Sequence, residues 1–146
     1  MFNGCTGLTG TIPELPSSLT NAQSMFEGCS GLTGGFPSLP DSITNGYQMF
    51  YKCSGLEGNI TKLPSNLSNG GNMFIGTTLT GTIPSLPSTL TEANTMFQNC
   101  SGLEGEIPDF PANLTRGTMM YYGCSGLVDD NLPTFPSTIT AARQMY

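Results

Sequence analysis

The stretch MFEGCSGLTGGFPSLPDSITNGYQ, residues 25–48, returns in near copy along the whole chain. Its opening Met-aromatic pair sets the register: Met1-Phe2, Met25-Phe26, Met49-Phe50, Met73-Phe74, Met96-Phe97, Met120-Tyr121 and Met145-Tyr146. The units run 1–24, 25–48, 49–72, 73–95, 96–119 and 120–144, with the start of a seventh at 145–146. The fourth is one residue short and the sixth one long. Rare residues obey this register. All 11 prolines fall in two columns: Pro16, Pro40, Pro64, Pro87, Pro111 and Pro136 in one, Pro13, Pro37, Pro84, Pro108 and Pro133 in the other. Thr61 is the single exception. All five Cys share one column, and seven of the eight Met head a repeat.

A period in the twenties makes each unit one coil of a solenoid, too small to bury an apolar face alone but able to bury it against its neighbours. The composition fits this reading. Only 10% of residues are charged, against about 25% in an ordinary domain, and the 19 Gly and 11 Pro would signal disorder were they not periodic. Within a coil the apolar columns are Phe26, Cys29, Leu32, Phe36, Leu39 and Ile43, and they are expected to stack into ladders roughly 5 Å apart, the spacing of paired strands. The 1–146 chain is therefore read as a single solenoid domain.

Spacings of three and four suggest helix, but Pro13 and Pro16 type positions deny helical hydrogen bonding in mid-unit, and Gly28, Gly31 and Gly34 disfavour it in the next stretch. Short parallel strands joined by tight turns follow. Two segments could hold the strand, the 8–12 type and the 22–26 type, and the second is preferred because proline lacks the N–H that a ladder needs.

Charge excludes one class of partner. The net charge is -6, and the four basic residues Lys52, Lys62, Arg116 and Arg143 lie in different repeats, leaving no patch to neutralise a phosphate backbone. No apolar run approaches the roughly 20 residues of a transmembrane helix, and the N-terminus lacks the basic start and apolar core of a signal peptide. A mature or excised segment, or a cytoplasmic chain, is expected on that ground.

The unit resembles leucine-rich repeats. LTNAQSMFEGCSGL, residues 19–32, is similar to the BspA-like repeats of bacterial surface proteins, and GLTGTIP, residues 7–13, resembles the L-x-G-x-I-P signature of plant-type repeats. The resemblance covers the entire chain. It implies a right-handed stack of six 23–25 residue coils with a parallel sheet along one face, and in the BspA-like branch surface-exposed or secreted proteins used in adhesion. The usual plant-type Asn is replaced by a Ser30-type residue, and a second Pro follows the first.

The column Cys5, Cys29, Cys53, Cys100 and Cys124 has two readings. With no histidine and one Cys per coil, neither a paired-cysteine zinc site nor a Cys-His nucleophile is available. A buried structural ladder of small apolar thiols is the plainer reading. A Cys5–Cys29 or Cys100–Cys124 bridge in an oxidising compartment is the sharper one. Acidic residues thicken in the last coils, where Glu104 and Glu106 are expected near Asp129 and Asp130. They form a solvated edge, a calcium cage or a carboxylate pair for a hydrolase. The column Asn3, Glu27, Tyr51, Ile75, Gln98, Tyr122 faces solvent, and Tyr51, Ile75 and Tyr122 with nearby Tyr47 are candidate binding residues. Asn59, Asn66, Asn99 and Asn113 are candidate glycosylation acceptors.

Neither end of the array carries a distinct capping repeat, which suits an internal slice of a longer array or subunits stacking end to end into a filament. The expectation is a non-enzymatic extracellular or cell-surface repeat protein acting in adhesion or self-assembly. It implies no cofactor or metal, and its partner is a protein or glycan surface or further copies of itself. An intracellular or secreted protein-binding module is the alternative, and a hydrolase using the acidic cluster a third.

Overall fold

The computed structural model describes residues 1–128 and 132–146. Five short strands, β1 (Gly34–Gly35), β2 (Leu56–Gly58), β3 (Thr78–Thr82), β4 (Gly102–Glu106) and β5 (Gly126–Val128), form one parallel sheet in chain order. A bridge from Gly10 to Leu32 carries the ladder into the first coil. Among the described residues there is no helix. Partners across the sheet lie two positions short of the repeat equivalent, so Gly34 faces Leu56 rather than Gly58.

The strand therefore occupies the 8–12 type segment, which corrects the preference for the 22–26 type. The reason lies in the backbone of the second segment. Amides of Ala22, Ser24, Phe26 and Gly28 do donate to carbonyls of the next coil, at Asn45, Tyr47, Met49 and Tyr51. The intervening amides turn inward: Met25 donates to Ala22, Glu27 to Ser24 and Cys29 to Phe26. Alternate donors thus stitch coils together while the others curl the chain, and the residue before each Met sits in the left-handed region, as at Ser24 (φ 50°), Gln48 (56°) and Thr95 (54°). A residue that carries a side chain turns the chain out of its extended course there.

The core is a set of columns running through the coils. Phe2, Phe26, Phe50, Phe74, Phe97, Tyr121 and Tyr146 stack nearly parallel, with ring centroids 5.4–6.4 Å apart. Phe36 meets Phe50 and Phe74 edge-on. Buried Met side chains lie over a glycine 26 or 27 residues earlier: a Cβ at Gly46 would stand 3.0 Å from the sulfur of Met73, and one at Gly70 would stand 2.8 Å from that of Met96. Alanine or glycine at this position gives the thioether its space.

A second glycine column marks the closest backbone approach. A Cβ at Gly31 or Gly102 would lie 2.7 or 2.9 Å from the carbonyl oxygen of Leu8 or Leu79, and nearer still to Leu32 and Leu103 at Gly55 and Gly126. No side chain fits there. The fourth repeat is short at this point: between Thr77 and Leu79 it has Thr78 alone, where its neighbours have Ser-Gly, and Thr78 opens β3 directly.

Candidate binding surfaces

The turn side of the coil presents the aromatic column. Gly28 N donates to the Tyr51 carbonyl and Lys52 N to that of Ile75, which places Tyr51 and Ile75 on adjacent rungs. Both are half-buried. The Lys52 ammonium sits 5.0 Å from the centre of the Tyr51 ring, a cation–π contact. Tyr47 lies flat on the next coil, where a Cβ at Gly71 would come 3.1 Å from its Cδ2, and its amide donates to Asn45 Oδ1. Tyr122 is exposed and stands two rungs beyond Ile75, with Gln98 between. Tyr51 and Ile75 are thus neighbours, Tyr47 packs toward Gly71, and Tyr122 stands apart.

Four members of the cysteine column, Cys29, Cys53, Cys100 and Cys124, are buried free thiols; Cys5 is exposed. Cys29, Cys53 and Cys124 Sγ donate to the carbonyls of Phe2, Phe26 and Phe97 at 2.9–3.0 Å. Thr77 takes the position in the fourth repeat and donates to Phe74 at 2.7 Å. Burial pushes the Cys53 and Cys100 thiols up to about 12 and Cys124 to about 11. Such thiols hold little thiolate at neutral pH and are poor nucleophiles.

On the sheet face, Glu104 and Glu106 of β4 project into solvent on either side of Gly105. Asp129 and Asp130, their expected companions, lie outside the described residues. Among the described residues no three acidic, Cys or His side chains converge to hold a metal. Asn59, Asn66, Asn99 and Asn113 are all exposed. Asn113 Nδ2 donates to the Ser88 carbonyl, and Asn99 is left-handed at φ 62°.

Sequence reasoning missed two features. One is a side-chain ladder: the hydroxyls of Thr44, Ser68, Thr91, Thr115 and Thr140 donate to the carbonyl of the equivalent residue one coil back, at 2.9–3.2 Å. Its regular Thr/Ser column was visible in the alignment. The other is a pair of ionic contacts between neighbouring coils, Lys62 to Asp41 at 2.6 Å and Arg116 to Glu92 at 3.6 Å. The Arg116 pair stands in the column otherwise filled by Asn21, Asn45, Asn69 and Ala141.

The backbone course over 97% of the chain matches the crystal structure of a T. pallidum leucine rich repeat protein, TpLRR, with a TM-score of 0.67 and 26% identity. The chain belongs to the leucine-rich repeat superfamily. A leucine-rich repeat protein from Bacteroides ovatus is similar in fold over 94% of the chain, with a TM-score of 0.63 and 24% identity. This leucine-rich repeat chain spans 63% of the length of the first structure and 40% of the second. No family model and no curated protein matches the sequence. Leucine-rich repeats typically serve as protein-interaction modules and not as enzymes. The fold by itself names no ligand.

Proposed function

We propose that this chain is a non-enzymatic leucine-rich repeat module of the BspA-like kind, displayed outside the cell or on its surface, where it holds a protein or glycan partner in adhesion. The observation that carries the reading is the half-buried Tyr51 beside Ile75 on adjacent rungs, with Tyr47 four residues before Tyr51. Large side chains seated on a hydrogen-bonded backbone lose little entropy when a partner covers them, so they act as anchors. The Phe26, Cys29, Leu32 spacing and the likeness to bacterial leucine-rich repeat structures support the surface setting.

The test is capture of the fluorescently labelled chain on intact cells and on immobilised matrix protein, in parallel with the Tyr47→Ala/Tyr51→Ala double variant. The reading expects retention of the parent and loss of about tenfold or more in the variant, since anchor truncation costs on the order of 2 kcal/mol each. Equal retention of both chains would sink it. Self-association is a second mode, favoured by a chain in which only 10% of the residues are charged. Sedimentation velocity across a concentration series reads it directly, and a single monomeric boundary throughout would remove it.

A further inference from the structure

In a solenoid the repeat serves as its own control. Whatever the fold needs, every coil supplies, so departures that gather in space point to something other than folding. Four departures meet between the second and third coils. Gly35 alone lacks a side chain in the outward column Thr11, Gly35, Asn59, Thr82, Glu106. Asp41 is the charged member of a column otherwise Ser or Ala. Thr61 breaks the proline column, and Lys62 is the cationic member of its own. Together they line a groove of about 530 Å³, within the range of small-molecule sites.

The groove has a constructed rim. Lys62 Nζ donates to Asp41 Oδ2 at 2.6 Å, and Ser65 N donates to Asp41 Oδ1 at 2.8 Å, tying the two coils together. Exposed ion pairs contribute little to stability, so folding does not account for this one. The floor is open because a Cβ at Gly35 would meet nothing within 4 Å. Glu57 and Asn59 stand on the sheet side, and half-buried Phe36 and Pro37 supply apolar surface.

We propose that this groove is a subsite for a neutral saccharide unit, with hydroxyls held by Asp41, Glu57, Asn59 and Lys62 and a C–H face set against Phe36 and Pro37. Sugar hydroxyls both donate and accept, which suits a lining of carboxylates, a carboxamide and an ammonium. Two carboxylates against one ammonium disfavour phosphate or sulfate, and a lining this polar disfavours lipid. The site does not depend on Tyr51 and Ile75, which lie on the turn side of the coil.

Gly35→Thr tests the proposal because it restores the residue present at Thr11 and Thr82 and fills the groove where no atom obstructs it. Amide chemical shifts of the chain, made in a host that does not glycosylate Asn59, are followed on titration with a panel of neutral mono- and disaccharides, with inorganic sulfate as the anionic control. At least one sugar is expected to shift Gly35, Asn59 and Lys62 at millimolar concentration. Gly35→Thr is expected to raise that Kd by about tenfold or more with an unchanged melting temperature, while Tyr51→Ala leaves it alone. Should Gly35→Thr misfold, Lys62→Ala serves the same comparison, since its side chain lies at the surface. Silence of the groove amides toward the whole panel overturns the proposal. So does sugar binding that survives both variants, or preferential binding of sulfate.

Discussion

Replacing Phe74 by Ala probes the shared interior most sharply. Phe74 is fully buried, its ring centroid lies 5.9 Å from Phe50 and 5.4 Å from Phe97, and the edge of Phe36 packs on it at 5.8 Å. Truncating a buried Phe costs about 3–5 kcal/mol, a transfer loss plus a cavity. Stacked pairs add about 0.5–1.5 kcal/mol each, but the cavity and pair contributions overlap, so the expected loss is about 4 kcal/mol. Native domains hold only about 5–15 kcal/mol in total. Phe2→Ala provides the internal comparison: Phe2 is half-buried and stacks on Phe26 alone, so its loss should be about 1–1.5 kcal/mol. Urea unfolding followed by far-ultraviolet circular dichroism measures both. Because contacts reach no further than one or two coils, loss of a central rung should also lower the m-value by splitting the cooperative unit. A Phe74→Ala cost below about 1.5 kcal/mol, or one equal to that of Phe2→Ala, would refute the continuous ladder.

Gly55→Ala should destabilise by about 1–3 kcal/mol, because its Cβ would press on the Leu32 carbonyl oxygen; an unchanged melting temperature would contradict the close backbone approach. Lys52→Gly should stabilise by roughly 0.5–1 kcal/mol, since Lys52 is left-handed at φ 58° where Gly28 and Gly76 occupy the equivalent positions; a lower melting temperature would show that its cation–π contact outweighs the backbone. Under native conditions an aromatic disulfide reagent should titrate Cys5 rapidly and the four buried thiols only on unfolding. The raised thiols make stability fully present below pH about 9 and lost as pH climbs toward 11–12, because the unfolded chain sheds those protons first. Flat stability from pH 8 to 11 would show the thiols to be solvated.

The aromatic, Met and Cys columns were legible from the register alone, because a residue type repeated once per coil has one place to go, into the interior shared by all coils. Strand placement was not. Glycines at positions such as Gly58, Gly81 and Gly105 look like strand breakers, yet they lie within the strands with φ between +78° and +95°. Ser24, Gln48 and Thr95 look compatible with a strand and are left-handed. Side-chain identity does not encode that inversion, since the conformation is imposed by alternate amides bonding to the next coil. The burial of Tyr47 against Gly71 also depends on two residues a full period apart. The groove was written in the sequence as Gly35, Asp41, Thr61 and Lys62, but recognising it required knowing which departures adjoin in space.

Amide hydrogen exchange by nuclear magnetic resonance tests the stacked-coil account most directly. Amides of Phe26, Phe50, Phe74, Phe97 and Tyr121 each donate to the Met carbonyl of the following coil, at Met49, Met73, Met96, Met120 and Met145. They should exchange only through large-scale opening, with Phe50 and Phe74 among the slowest in the chain. Exchange of these five at rates near those of a free peptide would contradict it.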